Sequence, residues 1–234
     1  MRLVVAAVLA ASIGCGSRAT PPASPAVSYE AHMNEAARLE REATREQEAA
    51  EVARQRGATY ECQTAPESEQ TTSGTERLPA TRICDDVTAK DERRHKDEAK
   101  KLREDADHRR GMARSLLDAD RAACEGLSFD TLRDPPLRRF AARAVIDRVD
   151  HGARITLTGG DVDANQLRRE LGCHRARAAL GGFDPSYMPS EPVTVAGARV
   201  RVDAAAASVV VTVEGDDPAA IDLIRRRADA LVGK

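Results

Sequence analysis

Tryptophan is absent from the 234-residue sequence, and tyrosine and phenylalanine contribute three residues each. That scarcity excludes the aromatic platforms on which sugars, bases and quaternary amines stack. It also leaves little with which to line a large apolar ligand pocket. Neither charge sign is in excess: 36 Lys and Arg stand against 38 Asp and Glu, for a formal net charge of −2. Nucleic acid and anionic lipid both select clustered positive charge, so neither is an expected partner. G-x-S-x-G, a P-loop, H-E-x-x-H and S-x-x-K are all missing, which leaves no named nucleophile or phosphate cradle. No enzymatic activity and no cofactor are expected.

What is present begins with an export signal. MRLVVAAVLAASIGCGS carries Arg2, an apolar run from Leu3 to Ile13, and small residues up to Cys15. The run is too short to span a bilayer as a mature helix and has the charge, apolar stretch and small-residue exit of a signal peptide over 1–14. Gly14-Cys15 after this segment resembles the lipobox of bacterial lipoproteins, with Ser12 where that family usually carries Leu. The resemblance implies that Cys15 is acylated and becomes the first residue of the mature protein, anchored to a membrane by its lipid. Gly16 rather than Asp after the cysteine implies the periplasmic side of the outer membrane. The alternative is ordinary cleavage near Ala11 or Gly14, giving a soluble periplasmic protein. Residues 15–28 are rich in proline and small residues and read as a disordered tether.

Residues 29–126 read as a helical hairpin. From Tyr29 to about Arg56 the chain lacks Gly and Pro and is dominated by Ala, Glu and Arg, which are strong helix formers. Met33, Ala36, Leu39, Ala43, Ala50 and Ala53 form a thin apolar stripe. A second run from about Asp86 to Glu125 presents Ala99, Leu102, Ala106, Ala113, Leu116, Leu117 and Ala123. Such seams need a partner, supplied either by each other or by another chain. The segment 57–85 between them is polar and turn-rich, an expected loop with a cysteine near each end.

Four cysteines besides Cys15 make an even set, which in an exported chain favours disulfides and permits three pairings. Cys62 with Cys84 would staple the base of the hairpin. Cys124 with Cys173 would then tie the hairpin to the rest of the chain.

After Gly126 the periodicity changes from helical to alternating. Val145–Val149 and Arg154–Thr158 flank Asp150-His151-Gly152 as a β-hairpin, and Asp161 or Asp163 can cap the helix that ends at Gly181-Gly182. The plan recurs: a shift of 56 aligns ITLTGGDVDANQLRREL with VTVEGDDPAAIDLIRRR, matching Ile155 with Val211, Asp161 with Asp217 and Leu167 with Leu223. Residues 127–234 are thus expected to form a duplicated ββα unit, one antiparallel sheet with two helices on one face, in a fold of the α+β class.

His174 shares a stripe with Leu167, Leu171 and Ala178, whereas Cys173 lies about 100° away, so one ion could not easily take both. His174 is expected in the core, with no metal site. The rival gathers His95, His108, Cys124, Cys173 and His174 into a periplasmic metal-binding or redox centre, without any C-x-x-C or H-x₃₋₅-H spacing to support it.

Cys173, His174, Ala176, Arg177, Ala179, Leu180 and Gly181, followed by Met188-Pro189 and VEGDDPAAIDLIRRRADAL, resemble uncharacterised lipoproteins of high-GC Gram-negative bacteria. Thr156-Leu157-Thr158-Gly159 after a glycine turn is similar, more weakly, to periplasmic BON modules, with Gly152 one residue early and no closing G-V-x-x-V segment. Neither resemblance implies a known activity. Together these features lead to the expectation of a non-enzymatic envelope lipoprotein, structural or protein-binding, whose partner is an envelope protein.

Overall fold

The computed structural model describes residues 27–64 and 82–233. The signal segment 1–14, Cys15, all but the end of the tether and residues 65–81 of the inter-helix segment lie outside the described residues. The fold is α+β, with helical and antiparallel sheet parts.

Helix α1 (Tyr29–Gln55) starts where the Ser28 hydroxyl accepts from the Ala31 amide at 3.1 Å. Helix α2 (Val87–Cys124) starts in the same way on the Asp86 carboxylate, which accepts from Ala89 at 3.1 Å. The two lie antiparallel on a seven-residue repeat of alanine. Ala36, Ala43 and Ala50 on α1 and Ala99, Ala106 and Ala113 on α2 are each no more than 2% exposed. Small side chains every seventh residue let two backbones approach at the short end of the interhelical range of about 8–10 Å. Leu39 and Leu102 fill the space beside Ala36 and Ala106. The two seams therefore complete each other within the chain, and neither is left for a second chain to cover.

The seam gains little from hydrophobic burial, so polar ties hold its edges. Glu46 Oε2 lies 2.6 Å from His95 Nδ1 across the helices, and Gln47 meets Arg103 and Glu40 meets Arg110 along one flank. Enlarging a seam alanine should force the helices apart. Ala43→Leu or Ala106→Leu is expected to cost about 1–3 kcal/mol, measured by urea unfolding followed by far-ultraviolet circular dichroism. The exposed Ala37→Leu should stay within about 0.5 kcal/mol of the parent, and equal losses at both kinds of site would refute the seam.

At rises of about 1.5 Å per residue, α1 is about 40 Å long and α2 about 57 Å. The expected loop between them is not all loop. Strands β1 (Tyr60–Thr64) and β2 (Arg82–Asp86) form an antiparallel ribbon at the far end of the hairpin, with Cys62 opposite and bonded to Cys84.

Beyond α2, a short helix α3 (Phe129–Arg133) and a 3₁₀ segment (Pro136–Arg143) lead into the sheet. Its strands are β3 (Ala144–Val149), β4 (Gly152–Thr158), β5 (Arg199–Ala205) and β6 (Ser208–Glu214), in spatial order β3-β4-β6-β5, all antiparallel. Ile146, Ile155, Val211 and Val202 form one row across all four strands, and that face carries the core. Helices α4 (Ala164–Leu180) and α5 (Pro218–Leu231) both cover it, through Leu167 and Leu171 and through Ile224 and Ala228.

The repeat has a geometric counterpart. Ile155 pairs with Val211, 56 residues on, while Arg154 pairs with Thr212 and Thr156 with Val210. A local two-fold axis through the Ile155–Val211 pair therefore exchanges β4 with β6 and β3 with β5. The helices follow a different offset: Leu167 corresponds in burial to Ile224, and Leu171 to Ala228. The caps are Asp163 and Asp217, and Asp161 instead pairs with Arg143 at 2.6 Å. The alignments of Asp161 with Asp217 and of Leu167 with Leu223 therefore fail. A helix can slide along a sheet by a residue or two while strand pairing, with its strict period of two, cannot. One polar detail departs from the two-fold: Arg168 donates to the Val202 carbonyl and Arg225 to that of Val149, both at 2.6 Å, although the two-fold mate of Val202 is Ile146. Arg168 thus reaches the outer strand β5, while Arg225 holds the β3–β4 turn, where it also donates to the Asp150 and Gly152 carbonyls at 3.1 and 3.3 Å.

Candidate functional site

The junction of hairpin and sheet domain is where most chemistry-bearing side chains meet. Cys124, the last residue of α2, is bonded to Cys173 in the middle of α4. Around the bond, Arg177 lies 3.7 Å from Asp120, and Arg169 donates to the Glu125 carbonyl at 3.1 Å. α2 is thus a single rigid element with a disulfide at each end, and its last turns belong to the domain's packing.

Beside this junction is a group of buried polar residues contributed by four segments. Glu170 on α4 is paired with Arg139 of the 3₁₀ segment and accepts from Gln166 at 2.8 Å. Glu191, wholly buried in the loop before β5, accepts the Leu137 amide at 3.4 Å through Oε2, while Oε1 has no partner. Arg227 on α5 donates to Thr194 Oγ1 at 2.7 Å and to the Glu191 and Pro185 carbonyls at 3.2 and 3.4 Å. Burial pushes the Glu191 carboxyl up to about 8, against the opposing pull of the Leu137 amide, Arg227 and Arg139. Burial also lowers the Arg227 pKa. The arrangement clamps the loop that carries Phe183 and Met188 with positive φ, a strained path that needs such anchoring.

His174 lies in the core, wholly buried, with neither ring nitrogen hydrogen-bonded. Burial, helped by the charges of Arg177 and Arg139, pushes its pKa down to about 4. Below an unfolded value of 6.5 the open chain takes up a proton that the folded core refuses. This residue's contribution to stability is therefore fully present above pH 6.5 and lost as pH falls through about 4. The loss amounts to about 3 kcal/mol. His174→Leu should abolish it and raise stability at acid pH, because it removes two unpaired polar atoms without creating new ones. Denaturant titrations at stepped pH test this, and an unchanged difference between parent and variant from pH 7 to pH 4 would contradict it.

The histidines and cysteines of the metal rival are not brought together. Cys124 and Cys173 are spent on each other, His95 is held by Glu46, and the pKa of His32 is lowered by burial with help from the charges of Arg109 and His108. Among the described residues no three His, Cys, Asp or Glu side chains converge. Two shallow grooves lie on the hairpin, one of them lined by Gln47, Glu48, Ala50, Arg54, Glu92 and Lys96. Glu170, Glu191 and Arg227 escaped sequence reasoning. Glu170 and Arg227 each carried a signal, Glu170 sharing a stripe with Leu167 and His174 and Arg227 one with Ile224 and Leu231, whereas Glu191 carried none.

Fold and junction together define a doubly disulfide-linked α+β protein bearing a long helical arm. No known protein family matches the chain, and neither does any curated protein or solved structure.

Proposed function

We propose that the chain is a non-enzymatic lipoprotein of the bacterial envelope, held on the periplasmic side of the outer membrane through Cys15, and that it binds another envelope protein. The observation that carries this reading is the disposition of sulfur. Cys62, Cys84, Cys124 and Cys173 are all in disulfides, which persist in oxidising compartments, and the fifth cysteine follows an export-type segment. Glu170, Arg227 and one oxygen of Glu191 are engaged by Arg139, Gln166, Thr194 and backbone groups, which suits a structural clamp better than a catalytic centre.

Cys15→Ser should move the protein from the membrane fraction to the soluble periplasm, and incorporation of labelled fatty acid should cease with it. Photo-crosslinkers at solvent-facing Arg41, Arg93, Val145 and Arg154 test the partner. At least one position should give a heterologous adduct in cells, and adducts at none of them would remove the binding role.

A further inference from the structure

We propose that Cys62–Cys84 is a reducible latch at the tip of the arm, opened by thiol–disulfide exchange with a dithiol, while Cys124–Cys173 is a permanent link. This goes beyond the binding role and stands on the contrast between the two bonds. Cys84 is exposed and Cys62 half-buried, in a two-stranded ribbon. The ribbon's described backbone ties to α2 are the Val87 amide on the Thr59 carbonyl at 2.9 Å and the Thr59 amide on Thr88 Oγ1 at 3.1 Å. Cys173 is wholly buried, and its partner Cys124, the last residue of α2, is half-buried against α4. Exchange requires a thiolate to reach one sulfur, so the bond with an exposed cysteine reacts from the native state, whereas the bond that joins a half-buried to a wholly buried cysteine reacts more slowly.

In the first step the attacking thiolate bonds to Cys84 Sγ, the Cys84–Cys62 bond breaks, and Cys62 leaves as a thiolate that takes a proton from water. The second thiol of the dithiol, as thiolate, then attacks its own sulfur in the mixed disulfide and releases Cys84. Two electrons pass from the dithiol, which ends as a disulfide, to the latch, which ends as two thiols. Opening matters because an isolated two-stranded ribbon is marginal in water. Without the cross-link, the far end of an alanine seam loses its closure.

The test uses the oxidised full-length chain, dithiothreitol as the probe, timed alkylation and peptide mapping, with amide exchange on the product. Cys62 and Cys84 should be alkylated at least about tenfold faster than Cys124 and Cys173. Protection should then fall in 59–64 and 82–90 and persist in β3–β6. Equal rates, or Cys124–Cys173 opening first, would overturn the proposal. Unchanged protection of the ribbon after reduction, or in the Cys62→Ser/Cys84→Ser double variant, would also overturn it.

Discussion

At pH 9 the Glu191→Gln protein is expected to be more stable than its parent by about 5 kcal/mol. The carboxyl ionises near 4.5 in an open chain and near 8 in the fold, and each pH unit of that separation is worth about 1.4 kcal/mol. The sign follows from a raised value. Glu191's contribution is fully present below pH 4.5, where both states hold the proton, and it is lost as pH rises through about 8, because the unfolded chain sheds a proton that the core retains. Glutamine keeps an oxygen to accept the Leu137 amide and has nothing to ionise. Parent and variant should therefore match near pH 4 and diverge steadily up to pH 8. His174 acts in the opposite sense on the acid side, so the parent should show a broad optimum around pH 5–6, and each substitution should remove one flank. Parallel profiles for parent and Glu191→Gln would mean that the carboxyl is already ionised in the fold.

Removing the Cys124–Cys173 bond should have the next largest effect. The two residues are 49 apart in sequence, and closing a loop of that length restricts the unfolded chain by about 4 kcal/mol in the chain-entropy account. The Cys124→Ala/Cys173→Ala double variant should lose that much in denaturant titration. It should also lose coupling: the hairpin and sheet domain, now held by Arg177–Asp120 and Arg169–Glu125 contacts of low individual worth, should unfold in two transitions rather than one. Cys62→Ser/Cys84→Ser should affect the arm alone. A single unshifted transition in the Cys124/Cys173 variant would show that packing between α2 and α4 suffices without the bond.

Both effects arise from groups that differed in how visible they were. The helices were legible because Ala, Glu and Arg run on without Gly or Pro. The sheet was legible because alternating segments recur 56 residues apart, and that same offset places Ile155 opposite Val211. The seam alanines were legible as stripes, but alanine contributes so weakly to apolar periodicity that the stripe reads as thin rather than as a closely packed repeat of seven. Strands β1 and β2 were hidden for a different reason. YECQT and RICDD show no clean apolar alternation, and their pairing depends on a bond between residues 22 apart. Glu191 was not legible at all. Nothing local marks a loop glutamate before Pro192 as buried, and its burial arises only when the 3₁₀ segment, α4 and α5 close around it.

The central claim, an exported and acylated chain with every other cysteine cross-linked, is tested most directly by the intact mass and non-reducing peptide map of protein isolated from its native membranes. The account predicts a chain beginning at lipid-modified Cys15, with Cys62 joined to Cys84 and Cys124 to Cys173. A chain beginning at Met1, recovered from the cytosol with free thiols and no acyl group, would contradict it.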